Sequence, residues 1–236
     1  MRALVLAAGL GKRMRPLTET LPKPLLQAGG RPLITYHLSA LREAGIRDVV
    51  INTHWLAEML PEQLGSGERW GLRLHYRHEA CLLETAGGII NNLDLLSPDG
   101  KAPFLVINSD VYTELNLSRW LSRVERVLLE HPAVEACLSM VPNPDHHPEG
   151  DFVHVAEGGL LQLPASENDI RQTYAGIGVF RPAFFKGLKP GPRALGPVLK
   201  DKIRARRVFG LGVKDFWLDV GSPGRLERLQ NRLSAV

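Results

Sequence analysis

Short apolar runs alternate along the chain with stretches in which apolar residues recur every three or four positions. The first pattern suits strands buried on both faces, and the second a helix with one buried stripe. Arg2–Ala7 (RALVLA) predicts a buried strand that stops at glycines. Pro32–Ala44 carries Leu33, Tyr36, His37, Ala40, Leu41 and Ala44 at helical spacing, with Pro32 in the first turn and Gly45 as the stop. Asp48–Asn52 follows as a strand, Trp55–Leu64 as a short helix, Leu72–Tyr76 as a strand and Thr85–Leu96 as a helix. Ala102–Asn108 and Val134–Val141 are strands on either side of a helix over Leu117–Glu130. Strands and helices in alternation, with short connections, make a mostly parallel sheet covered on both faces. Asp151–Val155, Leu160–Leu163 and Tyr174–Phe180 are strand-like runs between polar turns and predict a small antiparallel extension. A last helix runs from Pro223 to Leu233. The expectation is one α/β domain over residues 1–236, a three-layer Rossmann-like sheet with the Pro-rich run Val141–Pro148 as an internal loop.

Composition narrows the function classes. With 236 residues, 44% apolar and 23% charged, the chain can bury a sizeable core and is too apolar for disorder. Its longest apolar runs, such as Ala3–Ala8, are too short to span a bilayer, and Met1-Arg2 does not open a secretory leader. Cys81 and Cys137 offer neither a metal spacing nor a disulfide framework, so a reduced, cytoplasmic protein without a membrane partner is expected. The net charge of +4 suits an anionic substrate. It lacks the clustered, aromatic-interleaved basic face that nucleic acid requires. Lys200, Lys202, Arg204, Arg206 and Arg207 spread around a helix as a solvated element end. His146 and His147 are adjacent in a Pro-rich loop, point apart and have no third ligand, so they carry little weight. His37 and Cys137 read as core residues, and Trp217 as packing beside Asp219.

Candidate chemistry begins after the first strand, at Ala8-Gly9-Leu10-Gly11-Lys12-Arg13-Met14. Glycines placed there let backbone N–H groups approach an anion. The P-loop spacing is absent. The dinucleotide fingerprint fails twice, at Met14 where a third Gly or Ala belongs and at Asn52 where an acid should end the second strand. The whole string Leu6–Leu25, LAAGLGKRMRPLTETLPKPL, resembles the N-terminal signature of the sugar-1-phosphate nucleotidyltransferase family. ETAGG at Glu84–Gly88, NSD at Asn108–Asp110, AGIG at Ala175–Gly178 and WLDVGS at Trp217–Ser222 extend the resemblance along nearly the whole chain.

The resemblance implies the nucleotide-diphospho-sugar transferase fold and two small-molecule substrates, a nucleoside triphosphate and a sugar 1-phosphate. The sugar phosphate attacks the α-phosphorus and pyrophosphate leaves, so positioning and charge neutralisation dominate catalysis. It implies Arg13 and Lys23 as catalytic cations, Arg13 as a planar fork on phosphate oxygens and Lys23 as an ammonium held extended between Pro22 and Pro24. Ala8, Gly9, Gly11, Lys12, Glu84, Thr85 and Gly87 are the implied nucleotide contacts, and Gly150 and Gly176 the implied sugar contacts. Asp110 and Asp219 are the implied ligands of Mg2+. The short length with LETAGG and HHPEGDF resembles family members that take UTP and N-acetylmuramate α-1-phosphate in cell-wall recycling. Cys81-Leu82-Leu83 departs from the acid-Pro-Leu pattern of relatives, leaving Glu79 as either a base contact or a solvated side chain. Leu163-Pro164 and Tyr174-Ala175 replace a pocket Glu and Asn, which allows a bulkier sugar, with Arg171 or Arg181 as partner for a lactyl carboxylate. A thymidylyl-, guanylyl- or cytidylyltransferase remains as an alternative, as does a non-catalytic nucleotide-sugar-binding relative. The oligomeric state is not legible.

Overall fold

In chain order the elements begin with β1 (Ala3–Leu6), β2 (Gln27–Ala28), β3 (Arg31–Pro32), α1 (Leu33–Glu43), β4 (Asp48–Thr53), α2 (Met59–Leu64) and β5 (Arg73–His78). They continue with α3 (Glu84–Ile90), α4 (Leu93–Leu96), β6 (Phe104–Asn108), β7 (Val111–Thr113), α5 (Leu117–Glu130) and β8 (Ala136–Val141). The last are β9 (Phe152–Val153), β10 (Gly159–Leu160), β11 (Arg171–Phe180), α6 (Leu195–Arg204), β12 (Val208–Gly212), β13 (Trp217–Asp219) and α7 (Pro223–Ser234). This computed structural model describes residues 1–154 and 158–234.

The main sheet has the order β10-β12-β8-β11-β6-β1-β4-β5, with β9 paired to β11. β6, β1, β4 and β5 are parallel neighbours, and β12 is parallel to β8. β11 runs antiparallel to both β6 and β8. The carboxyl ends of β1, β4, β6 and β8 therefore face the same edge of the sheet, where α/β proteins place their ligands. Alternate side chains feed two apolar layers, as the pleat requires. Ala3, Val5, Val49, Ile51, Leu105 and Ile107 pack with Ile34 and Leu38 of α1 and Trp120 and Val124 of α5. Leu4, Val50, Phe104 and Val106 pack on the other face with Ala86 and Ile89 of α3 and Val198, Leu199 and Ile203 of α6. The expected three-layer, mostly parallel sheet is what the chain forms.

The antiparallel part is not confined to an edge. β11 is ten residues long and lies at the centre of the sheet, between β8 and β6. The expected helix over Thr85–Leu96 divides into α3 and α4. Asn92 takes the break, because its side-chain amide donates to the Gly88 carbonyl (2.7 Å). The helix expected from Trp55 starts only at Met59, after Leu56 adopts a left-handed backbone (φ 49°). α6 and β12 lay outside the sequence expectation. Lys200, Lys202 and Arg204 do sit on a helix, α6, but it stops at Arg204, and Arg206 and Arg207 lie beyond its end. Of the strand expected over Asp151–Val155, Phe152 and Val153 pair with β11, and Val155 lies outside the described residues.

His37, on the inner face of α1, is buried, and its Nε2 has no hydrogen-bond partner. Burial lowers its pKa to about 4, against smaller opposing contributions from the Val111 backbone and the Asp110 carboxylate. In the unfolded chain a histidine titrates near pH 6.5. Between pH 6.5 and about 4 the unfolded chain then binds one more proton than the folded chain. Stability is expected to fall as pH drops through this window, by at most ~3 kcal/mol from this residue. Urea unfolding at pH 7.5 and pH 5 measures it. His37→Leu is expected to flatten the slope, and equal slopes in the two proteins would exclude His37 as its source.

Candidate active site

At the carboxyl edge of the sheet a cavity of about 280 Å³ is lined by Ala8 and Gly9 after β1, Asn52 of β4, Asp110 after β6, Lys23, Glu79, Glu84 and Thr85. A neighbouring cavity of about 490 Å³ shares Glu84, Thr85 and Asn108 and is completed by Asp151, Phe152, Tyr174 and Leu195. The two form a cleft with two chambers.

Lys23 and Asp110 meet inside the first chamber, Nζ to Oδ2 at 2.7 Å, with the lysine side chain 11% exposed and the carboxylate 30%. Lys23 is not extended, as its place before Pro24 predicts. It opens a 3₁₀ turn over Lys23–Leu25, closed by Leu25 N–H on the Pro22 carbonyl (2.9 Å) and Leu26 N–H on the Lys23 carbonyl (3.1 Å). The extended residue is Pro22, with ψ 142°. These turn bonds and the ion pair outweigh the pre-proline preference.

Asp110 and Asp219, 109 positions apart, are brought together by the β7–β13 ladder, in which Asp219 faces Val111 and Val220 N–H donates to the Asp110 carbonyl (2.8 Å). Asp219 Oδ2 lies 3.3 Å from Arg225 Nη1 and 3.4 Å from His146 Nε2. Its Oδ1 is buried, with no hydrogen-bond partner among the described residues. Among the described residues no cluster of three or more His, Cys, Asp or Glu gathers around a metal position. Two carboxylates beside substrate phosphates are nevertheless the donor set that magnesium takes.

The other expected residues separate into three groups. Ala8, Gly9, Glu84 and Thr85 line the cleft. Gly11, Lys12 and Arg13 are not lining residues. Gly11 turns the chain at φ 60° over Thr18, whose hydroxyl donates to the Gly11 carbonyl (2.8 Å). Lys12 and Arg13 stand exposed on the next 3₁₀ turn, and Arg13 has no hydrogen bond or ion pair among the described residues. Gly87 also lies outside the lining. Its N–H donates to the Arg193 carbonyl (3.1 Å), and a Cβ would come 2.4 Å from the Gly191 carbonyl, so this glycine serves helix-to-loop packing.

Gly150 closes a turn, its N–H 3.2 Å from the His147 carbonyl, and delivers Asp151 to the second chamber. Gly176 sits in the irregular part of β11 at φ 76°, where a Cβ would lie 2.8 Å from Asn108 Nδ2. Only glycine suits that backbone and that approach. Arg181 is at the wrong end of β11: it donates to the carbonyls of Val134 and Leu128, beside the amino ends of β6 and β8. Arg171 stands at the cleft end, opposite Val153.

Residues to which the sequence reading gave little or no weight also shape the site. The two histidines do point apart, yet each meets a site carboxylate, His146 at Asp219 and His147 at Asp151 (3.1 Å). Glu79 is not solvated but 2% exposed. Asn52 and Asn108 both register with Leu6, one on each side of β1, and their positions at strand ends were the available signal. Asp151 accepts the Tyr174 N–H (2.8 Å), a contact across 23 positions that no local pattern announces. Trp217 donates to the Ala175 carbonyl (2.9 Å), which fits its packing role. Burial pushes the Cys137 thiol up to about 12, leaving it inert.

The nucleotidyl transferase family model matches residues 2–149, and the chain belongs to that family. Its sequence is 42% identical, over 98% of this chain and 97% of the relative, to an N-acetylmuramate alpha-1-phosphate uridylyltransferase of Neisseria meningitidis serogroup B. A protein of the same description from Caulobacter vibrioides is 32% identical over 94% of this chain and 92% of its own length. The mannose-1-phosphate guanylyltransferase catalytic subunit beta of Danio rerio is 28% identical over 94% of this chain and 62% of its own length. Among solved structures, a Bacillus anthracis protein described as a glucose-1-phosphate thymidylyltransferase in complex with a sucrose aligns with a TM-score of 0.83 at 20% identity, over 100% of this chain and 96% of that one. That likeness shows the shared fold.

The Lys23–Asp110 pair puts a cation inside the first chamber. Lys23→Met is expected to lower turnover by ~10²–10³-fold, the loss of one preorganised electrostatic stabiliser. Pyrophosphate release by a variant with a native circular dichroism spectrum measures this. A rate close to wild type would take Lys23 out of the mechanism.

Proposed function

We propose that the chain is a magnesium-dependent uridylyltransferase that joins the UMP unit of UTP to N-acetylmuramate α-1-phosphate and releases pyrophosphate, in the cytoplasmic recycling of cell-wall sugar. The observation that carries this reading is the two-chambered cleft, with Lys23 and Asp110 on one side of the shared wall and Asp151 and Tyr174 on the other. The near full-length similarity to a protein named for that reaction supports the choice of base and sugar.

In this reading the first chamber takes the nucleotide, with phosphates near Gly9 and Lys23 and the nucleoside near Glu84 and Thr85. The second chamber orients the sugar so that its phosphate oxygen faces the α-phosphorus in line with departing pyrophosphate. No side chain acts as nucleophile, because the acceptor brings its own. Lys23 neutralises phosphate charge from its place beside Asp110, and Arg13, exposed and unpaired among the described residues, is free to fold onto phosphate oxygens. The donor set fits magnesium: Asp110 and Asp219 would hold it, and the buried Oδ1 of Asp219, without a hydrogen-bond partner among the described residues, supports this. When bound, the ion supplies charge neutralisation for the phosphates. Arg225 and His146 hold the Asp219 carboxylate in place. Arg171, at the cleft end of β11 with one guanidinium N–H on the Ser166 carbonyl (3.0 Å), is the arginine nearer a lactyl carboxylate.

A matrix of nucleoside triphosphates against sugar 1-phosphates, read by pyrophosphate release, tests the reading. With UTP, N-acetylmuramate 1-phosphate is expected to exceed N-acetylglucosamine 1-phosphate in kcat/KM by ~10-fold, the worth of one charged contact. Equal use of the two sugars would defeat the muramate assignment and leave nucleotidyl transfer standing. Chelator is expected to abolish turnover and magnesium to restore it. Full activity in metal-free protein would reject Asp110 and Asp219 as ligands.

A further inference from the structure

Three segments far apart in sequence wall the first chamber: the end of β1, the end of β4 and the turn between β5 and α3. One line of hydrogen bonds, buried at Asn52 and partly buried at Leu83, fastens all three. Ala7 N–H, where the glycine loop begins, donates to Asn52 Oδ1 (2.8 Å). Asn52 Nδ2 donates to Glu79 Oε1 (2.7 Å), and Leu83 N–H, at the start of α3, donates to Glu79 Oε2 (3.1 Å). Asn52 and Glu79 are both buried and both line the chamber. The main chain of Glu79 is pinned as well, its N–H to the Thr53 carbonyl (2.8 Å) and its carbonyl 2.7 Å from His54 Nδ1.

The chemistry of this line admits few residues. Its outer ends are backbone donors, so the side chains between must accept at both ends. Asn52 accepts once and donates once; Glu79 then has to accept twice, which an ionised carboxylate does and an amide does not. Among the described residues no cation pairs with Glu79, so these donors are what compensate its burial. The second glycine of ETAGG belongs to the same arrangement. A Cβ on Gly88 would lie 3.0 Å from Asn52 Nδ2 and 3.0 Å from Glu79 Oε1, against the strap itself.

We propose that Asn52 and Glu79 are positioning residues: a buried strap that sets the spacing between the glycine loop and the entry of α3, so that one nucleoside triphosphate reaches both. This rests on the assignment of the first chamber to the nucleotide. Neither side chain takes part in the chemistry. Their effect passes through Ala7 and Leu83, the backbone groups they hold.

The test exploits the direction of the bonds. Glu79→Gln leaves one acceptor for two donors, so one link opens. Asn52→Asp sets two carboxylates against each other. In the double variant Asn52→Asp/Glu79→Gln the line is complete again with its middle bond reversed: the aspartate accepts from Ala7 N–H and from the glutamine amide, and the glutamine oxygen accepts from Leu83 N–H. Each single variant is expected to weaken binding of the wild type's preferred nucleoside triphosphate, measured by calorimetry, by ~10-fold or more, the scale of one buried donor left unpaired. The double variant is expected to recover to within about 3-fold of wild type, beyond what independent effects allow. In steady state, KM for the nucleotide rises in the single variants while KM for the sugar phosphate changes by less than about 3-fold. A Glu79→Gln protein that binds nucleotide as wild type does, or a double variant no better than the worse single one, overturns the strap. Whether UTP is the preferred nucleotide is read from wild type alone, so failure of the function assignment shows separately from failure of the strap.

Discussion

Parallel pairing of β1 with β4 on one side and β6 on the other is the constraint from which the site follows. Leu6 registers with Asn52 and with Asn108, so three strands end at one level and release their chains toward the same edge. Slipping either pairing by one residue would turn the apolar set of that strand from one packed face to the other. Ala3 and Val5 are buried in one layer and Leu4 in the other, so the register has no slack. Much of the first chamber hangs from these strand ends: the start of the glycine loop, Asn52 and Asp110.

The central antiparallel strand adds the second chamber. β11 enters from the cleft edge, and its irregular stretch between Tyr174 and Gly178 lets Gly176 come against Asn108 while Tyr174 joins Asp151. A parallel strand in that position would have needed a further crossover and would have sent Arg171 to the opposite edge. The direction of β11 thus places one arginine, Arg171, near the cleft and ties the other, Arg181, to backbone carbonyls far from it.

Charge at the cleft is arranged in short-range pairs. Lys23 meets Asp110, Arg225 and His146 meet Asp219, and His147 meets Asp151. Such pairs keep the carboxylates oriented, and among the described residues the buried Oδ1 of Asp219 has no hydrogen-bond partner. The two glycines of ETAGG divide their work: Gly87 admits the Gly191–Arg193 segment, and Gly88 admits the side chains that strap the chamber. Identical residues one position apart answer to different neighbours.

The amino-acid sequence by itself determined the strands that end in the site and the residue types released there. Its apolar runs located β1, β4, β6 and β8, and α5 falls on the residues its periodicity marked, Leu117–Glu130. The glycine loop, Lys23, Asp110 and Asp219 were legible because runs and motifs are local. Tertiary structure decided the rest. It placed β11 in mid-sheet, broke the α3–α4 helix at Asn92, folded Lys23 into a 3₁₀ turn and buried Glu79. It also turned His146 and His147 toward two different aspartates. The break at Asn92 and the turn of His147 rest on partners four positions away, but the contacts that build the chamber reach much further, 27 positions for Asn52 and Glu79 and 87 for Lys23 and Asp110. A hydrogen bond or ion pair of that range leaves no periodicity in the chain, because its energy exists only once the strands have set both partners side by side.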